Sequence, residues 1–177
     1  MNVKRIAVLG MLGAISVVGA LFVHFSIFPQ VGFIEYDPAD IPIFITTFAM
    51  GTWYGLLLTF VVSVVQGFTV SASGGILGII MHIIATGTFV IAAGSIYARK
   101  KTRKTAYISL AVGTVAWTAV MVLWNLIITP KFLQVEVGTV IQLMPFIVMS
   151  NIIKAGTNAL LTALLYKRVH KQIDRLM

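Results

Sequence analysis

Long apolar stretches dominate the sequence and leave little choice of fold. They cover residues 6–25, 41–65, 76–98, 107–129 and 144–166, and about 20 apolar residues are enough to cross a bilayer as a helix. Of all residues, 59% are hydrophobic and only 10% are charged, whereas soluble domains carry about 25% charged residues. The sequence therefore predicts an all-α integral membrane protein and argues against a soluble enzyme or a partner of nucleic acids.

The positions of the basic residues indicate how the chain crosses the membrane. Most Lys and Arg residues fall in three clusters, within residues 4–5, 99–104 and 167–175, and cytoplasmic loops are enriched in such residues. If residues 41–65 formed one helix, five spans would place the second and third clusters outside. A turn at the glycine-containing residues 51–55 gives six spans, with all three clusters and both termini in the cytoplasm. We therefore predict six spans.

This interpretation gives one domain over residues 1–177, with helices at about 5–25, 38–51, 54–67, 75–98, 106–129 and 144–170. The second and third helices are shorter than the ~30 Å hydrocarbon core and need tilting or shielding by neighbours. The first apolar stretch lacks a small-residue cleavage site, so we interpret it as a retained span. We expect a multi-pass protein of the cell membrane that contacts the lipid bilayer.

Polar residues inside the apolar segments mark a candidate binding site. In the six-span topology they fall in the outer half of the membrane, where they have to pair or line a watery cavity. Asn151 and Lys154 share one face of the sixth helix, and an amide beside a cation suits a carboxylate or a heterocycle with carbonyls. The predicted ligand-binding residues are Asp40, Gln66, His82, Asn125, Asn151 and Lys154.

Each candidate also has a purely structural interpretation, which stays open at this point. Lys154 could pair with Asp40, and Asp40 is itself placed to cap the second helix. Asn125 and Asn151 could join helices through hydrogen bonds, and His82 could pack between helices.

The first helix carries a face of small residues. Gly10 and Ala14 lie four residues apart with Gly13 beside them, and such spacing lets another helix approach closely. Packing within the protein and contact with another subunit explain this face equally well.

Motifs of catalytic or metal sites are absent from the sequence. It contains no Gly-x-x-x-x-Gly-Lys-Ser/Thr phosphate loop, no His-Glu-x-x-His and no Gly-x-Ser-x-Gly. It has no cysteine and only five carboxylates, with no acidic pair inside a span. We expect no enzyme activity, no metal and no cofactor, and a protein poorly equipped to energise transport alone.

Three segments of the sequence match the motifs of one known family of membrane proteins. Residues 36–42, Tyr-Asp-Pro-Ala-Asp-Ile-Pro, resemble the family's Asp-x-Ser-Asp-Val-Pro segment. Residues 123–130, with Leu-Trp-Asn-Leu and then Thr-Pro, resemble its Leu-Asn-Tyr…Leu-Pro. The Met-Pro-Phe at 144–146 and Asn-Ile-Ile-Lys at 151–154 resemble its Pro-Phe-Asn-x-Ile-Lys element, which is the most specific match. By these motifs the chain resembles the S component of energy-coupling-factor (ECF) transporters, most closely the riboflavin-specific members.

The resemblance implies a six-helix subunit that captures riboflavin, or a related flavin, from outside for ATP-driven uptake. It implies two kinds of partner, a transmembrane coupling subunit that contacts the small residues of the first helix and two cytoplasmic ATPases. It assigns the contacts with the flavin ring to Asn125, Asn151 and Lys154, and it implies that the loop before the second helix covers the site.

Three differences from the family fall where a ligand would touch. Residues 63–67, Ser-Val-Val-Gln-Gly, stand where the family is rich in Asn, Met81 and His82 replace its Ala-Asn, and the spacing from Pro-Phe to Asn-x-x-Lys is longer. Two alternatives therefore stay open: an S component for a different vitamin or heterocyclic precursor, and a small self-sufficient secondary transporter.

Overall fold

The computed structural model describes residues 3–70 and 74–176; beyond Tyr166, side chains are described only for Val169 and Ile173. Six helices follow one another in this part of the chain: α1 (Val3–Phe22), α2 (Asp40–Met50), α3 (Thr52–Phe68), α4 (Gly75–Arg99), α5 (Arg103–Leu133) and α6 (Val137–Leu176). The connection between α1 and α2 contains two short strands, β1 (Phe25–Ser26) and β2 (Glu35–Tyr36), and a 3-10 turn at Pro29–Val31. The predicted all-α architecture is confirmed.

The six helices differ in length. Four of them, α1, α4, α5 and α6, are long and apolar enough to cross a membrane. Helices α2 and α3 have 11 and 17 residues, about 17 and 26 Å at 1.5 Å per residue. Nearly all of α2 is buried, because it packs against α1, α3, α4 and α6. The number of spans and the side on which the termini lie stay predictions.

A single glycine separates α2 from α3. Gly51 has a φ of +110°, which glycine adopts without the steric cost that a side chain brings. The turn is thus tighter than the predicted one at residues 51–55, and Gly55 lies inside α3. Gly55 instead serves packing, because a Cβ at this position would collide with the side chain of Thr47 on α2.

Helices α5 and α6 are both longer than the sequence analysis predicted. The loop predicted at residues 130–143 shrinks to residues 134–136, because α5 continues past Pro130 to Leu133 and α6 begins at Val137 rather than at residue 144. A proline removes only its own backbone donor, and only residues 131–133 of α5 follow Pro130. Gln134 ends α5 in the left-handed conformation, with a φ of 54°.

The connection between α1 and α2 is structured, although the sequence analysis treated it as an irregular loop. The two strands pair antiparallel, with Phe25 opposite Tyr36, so α1 ends at Phe22 rather than at residue 25. Strands of two residues are too short for a periodic pattern to predict. A small apolar cluster with Val140 and Ile147 of α6 buries Val31 and seats the connection on the bundle.

Candidate functional site

A cavity of about 360 Å³ lies at one end of the bundle, between the α1–α2 connection, α4 and α5. Its wall includes residues 33–35, the first turns of α4 and the second half of α5. Most of the lining is apolar, and the polar groups on it come from Glu35, His82, Trp117 and Thr129. Mostly apolar walls with a few polar groups are typical of small-molecule sites, which measure about 300–1,000 Å³.

Of the six predicted ligand-binding residues, His82 lines this cavity. Asp40, Asn125, Asn151 and Lys154 are positioned behind the wall, where each contacts a residue that lines it. The sixth, Gln66, is buried and lines a smaller space of about 40 Å³, which His82 lines as well. The structure therefore brings the six predicted residues together at this end of the bundle. Most of them lie behind the residues that line the cavity rather than on the cavity surface.

The two asparagines hold wall residues of α5. Trp117 Nε1 donates to Asn151 Oδ1 at 2.8 Å, which joins α5 to α6. Thr129 Oγ1 donates to Asn125 Oδ1 at 2.7 Å, within α5 itself. Each amide nitrogen also donates to a carbonyl one turn earlier in its own helix. These bonds fix the amide orientations, and through them the orientation of the wall side chains.

Lys154 anchors the α1–α2 connection to α6. Its Nζ lies 2.7 Å from Asp37 Oδ2 and donates to the Glu35 carbonyl at 3.0 Å. The sequence analysis considered Asp40 as the ion-pair partner, whereas the structure pairs Lys154 with Asp37. Burial, and then the neighbouring Asp37 carboxylate, raise the pKa of the Tyr36 hydroxyl.

Asp40 is fully buried and binds side chains rather than capping its helix. The N-cap of α2 is Ala39, and no side chain caps the helix, so the capping interpretation was wrong. Thr86 Oγ1 donates to Asp40 Oδ1 at 2.8 Å, and Asn158 Nδ2 donates to Oδ2 at 3.2 Å. His82 Nε2 lies 3.3 Å from Oδ1. A buried carboxylate needs such partners, because it has lost its hydration.

The His82 ring is held from both sides. Ser63 Oγ donates to the Thr59 carbonyl at 2.6 Å and lies 2.7 Å from His82 Nδ1. The imidazole is therefore fixed between α3 and Asp40 of α2, and its remaining surface forms part of the cavity wall.

Asn158, Thr86 and Asp37 are among the residues of this network that the sequence analysis missed. Asn158 follows Lys154 by four positions and Thr86 follows His82 by four, so each lies on the same helix face as a predicted residue. That spacing was the available signal for both. Asp37 lies in the connection, where only the folded structure shows that it meets α6.

The small-residue face of α1 borders an apolar groove of about 570 Å³ between α1 and α3. Gly10 and Ala14 are exposed along it. Gly13 is buried, and a Cβ built on it would lie 3.2 Å from Leu58 Cδ1 of α3. Gly13 thus packs within the protein, whereas Gly10 and Ala14 are accessible to another subunit; the contact with a partner stays a prediction.

Comparisons with known proteins agree with this architecture. The family described as "ECF transporter, substrate-specific component" matches residues 4–166. The riboflavin transporter RibU of Staphylococcus aureus (strain TCH60) is 24% identical in an alignment of 184 positions that covers 98% of this chain and 94% of that protein. A solved structure, described as the S component of a bacterial ECF transporter, has a TM-score of 0.82 and 25% identity, with 96% of this chain and 97% of that chain covered.

The resemblance found in the sequence is therefore confirmed: the chain belongs to the substrate-specific components of ECF transporters, substrate-binding subunits rather than enzymes, and is a multi-pass protein of the cell membrane.

Proposed function

We propose that this protein captures riboflavin in the cavity between the α1–α2 connection, α4 and α5. The observation that carries the proposal is the size and lining of this cavity. It measures about 360 Å³, its wall is largely apolar, and amide and charged side chains lie directly behind that wall. A flavin has a flat apolar ring, one edge of carbonyl and N–H groups, and a polyhydroxyl chain. The similarity of nearly the whole chain to a riboflavin transporter supports the same ligand.

The wall residues suggest how such a ligand would bind. The flat ring would lie against apolar side chains such as Met81, Ala85 and Met121. Glu35 and His82 would face the polar edge or the hydroxyl chain. The asparagines and Lys154 would then act at close range, by holding the polar wall residues in the orientation that the ligand requires.

The cavity faces the outside in this proposal, and six spans place both termini in the cytoplasm. The direction of α4 and α5 supports it: both helices have their cavity-lining residues at one end and the basic residues 99–104 at the other. The first basic cluster lies with them, since Arg5 Nη1 donates to the Tyr54 hydroxyl at the start of α3. Positive charge at the end opposite to the cavity is typical of a cytoplasmic face.

Uptake in this proposal requires partner subunits. A transmembrane coupling subunit would dock on the apolar groove between α1 and α3, where Gly10 and Ala14 allow close approach. Two cytoplasmic ATPases would supply the energy. The described carboxylates are compatible with this division of labour, because Asp37 and Asp40 are both committed to partners within the protein.

The proposal is tested by an absorbance spectrum of the purified protein, mass spectrometry of what denaturation releases, and a titration that follows quenching of riboflavin fluorescence. We expect saturable quenching with about one flavin per chain. A well-folded protein that neither contains nor quenches riboflavin would exclude this ligand and leave an S component for another vitamin or heterocyclic precursor. Uptake without partners, driven by a proton or sodium gradient, would instead favour a self-sufficient transporter.

A further inference from the structure

A second cavity, of about 240 Å³, lies at the opposite end of the bundle among α2, α4, α5 and α6. Lys101 and Arg103, from the junction of α4 and α5, line it together with Tyr107. Its interior is apolar and includes Phe48 and Leu110, both of which are buried. The cavity therefore combines a cationic rim with a hydrophobic floor.

The cations on this rim lack an acidic partner in the described structure. The chain has five carboxylates. Four of them lie at the other end of the bundle, in the α1–α2 connection, at the start of α2 and in the α5–α6 connection. The fifth, Asp174, has a side chain outside the described part. Among the described side chains, no carboxylate pairs with Lys101 or Arg103. Positive charge beside a cavity, uncompensated among the described side chains, suits an anionic ligand.

The shape of the cavity favours an anion that carries an apolar chain. Leu110 lies seven residues after Arg103 in α5, so the floor is about 10 Å from the rim. Tyr107 lies between the two levels and is 61% exposed, in the position that tyrosines take at a membrane interface. Inorganic phosphate would use the rim alone and leave the apolar floor unused.

We propose that this cavity binds an anionic phospholipid, with the phosphodiester at Lys101 and Arg103 and part of an acyl chain along Phe48 and Leu110. Basic pockets between transmembrane helices on the cytoplasmic side bind lipid head groups in this way. The bound lipid would bridge the ends of α2, α4, α5 and α6 and stabilise that end of the bundle. The inference does not depend on the identity of the transported ligand.

The test compares dimyristoyl phosphatidylglycerol with dimyristoyl phosphatidylcholine, which have the same chains and differ in head-group charge. Binding is counted by native mass spectrometry of the detergent-solubilised protein, and unfolding midpoints are measured with each lipid. The double variant Lys101→Gln/Arg103→Gln should bind phosphatidylglycerol about tenfold more weakly. The matched control Lys100→Gln/Lys104→Gln removes the same charge from the same segment but from residues that do not line the cavity, and it should lose less than about twofold.

A second variant keeps the test decisive if the double variant unfolds. Ala163→Leu leaves both cations in place and fills the floor that Ala163 lines, and it should weaken phosphatidylglycerol binding about fivefold. Equal losses in Lys101→Gln/Arg103→Gln and its control would show diffuse surface attraction and overturn the proposal. Equal binding of the two lipids, full affinity in Ala163→Leu, or equal stabilisation by inorganic phosphate would overturn it as well.

Discussion

Lys154 Nζ lies 2.7 Å from Asp37 Oδ2, so one ion pair joins residues 117 positions apart. Both side chains are largely buried, at 12% and 9% exposure. The same ammonium group donates to the Glu35 carbonyl, and therefore fixes both the backbone and a side chain of the connection that borders the cavity. Loss of one member of a buried pair costs about 3–5 kcal/mol, because the other charge stays behind uncompensated.

Lys154→Met should therefore lower the unfolding midpoint and weaken riboflavin binding at least about tenfold, or 1.4 kcal/mol. The affinity falls because the connection loses its attachment to α6. Fluorescence titration measures the affinity, and thermal unfolding measures the stability. The double variant Asp37→Asn/Lys154→Met serves as the control, since it leaves no unpaired charge and should be more stable than Lys154→Met. Wild-type affinity in a folded Lys154→Met protein would exclude this residue from the site.

Asn125→Ala should also weaken riboflavin binding at least about tenfold, because the buried hydroxyl of Thr129 loses its acceptor. Thr129→Val distinguishes two explanations, since it removes the same hydrogen bond and leaves Asn125 in place. Equal losses in the two variants would show that Asn125 acts by positioning Thr129. A much smaller loss in Thr129→Val would show that the amide contacts the ligand, and full affinity in Asn125→Ala would contradict both.

Gly113→Ala should destabilise the bundle by about 1–3 kcal/mol, the range for overpacked cores. A Cβ at Gly113 would lie 2.9 Å from atoms of the Phe89 ring, which is itself stacked on Phe44 with 3.7 Å between centroids. The ring cannot retreat without breaking that stack. Gly138→Ala is the matched control, because its Cβ would meet nothing within 4 Å. Unfolding free energies in detergent measure both, and equal values would contradict the packing argument.

Ala14→Trp should leave riboflavin binding unchanged and reduce uptake by the assembled transporter about tenfold or more. Ala14 is exposed in the groove between α1 and α3, where a bulky side chain would hold the coupling subunit away. Val115→Trp provides the control, since Val115 is 68% exposed on α5 and lies outside the groove. Uptake and co-purification with the coupling subunit are the measurements. Normal uptake with Ala14→Trp would exclude this face as the coupling surface.

The sequence predicted the helices well wherever a long apolar stretch ended in charge or glycine. The predicted start of α4 at residue 75 is that of the structure, and its end differs by one residue. Prediction was poorer over residues 130–143, where a loop was expected, because α5 continues past Pro130 to Leu133 and α6 already begins at Val137. The turn at Gly51 was expected, but the packing role of Gly55 depends on the distance between α2 and α3, which no local pattern contains.

The candidate site could be predicted in part. A polar residue in an apolar helix is visible in any sequence, so His82, Asn151 and Lys154 could be singled out as candidates. The partner of such a residue depends on how the chain folds back on itself. The pairing of Lys154 with Asp37 rather than Asp40 follows from the β1–β2 ribbon, which sets the path of the connection. For the same reason, the sequence could not separate residues of the wall from residues behind it.

As the third of the six predicted spans, α3 would make the thickness of the bilayer matter to this protein. At 17 residues, α3 would fall about 4 Å short of an average membrane interior, and the lipids around it would have to compress. Its outer face would meet those lipids, since Trp53, Phe60 and Phe68 are all exposed. Compression costs fractions of a kcal/mol per Å, and a protein that covers this face removes the cost. Thicker membranes should therefore favour association on the side of α3, even without a single additional protein contact.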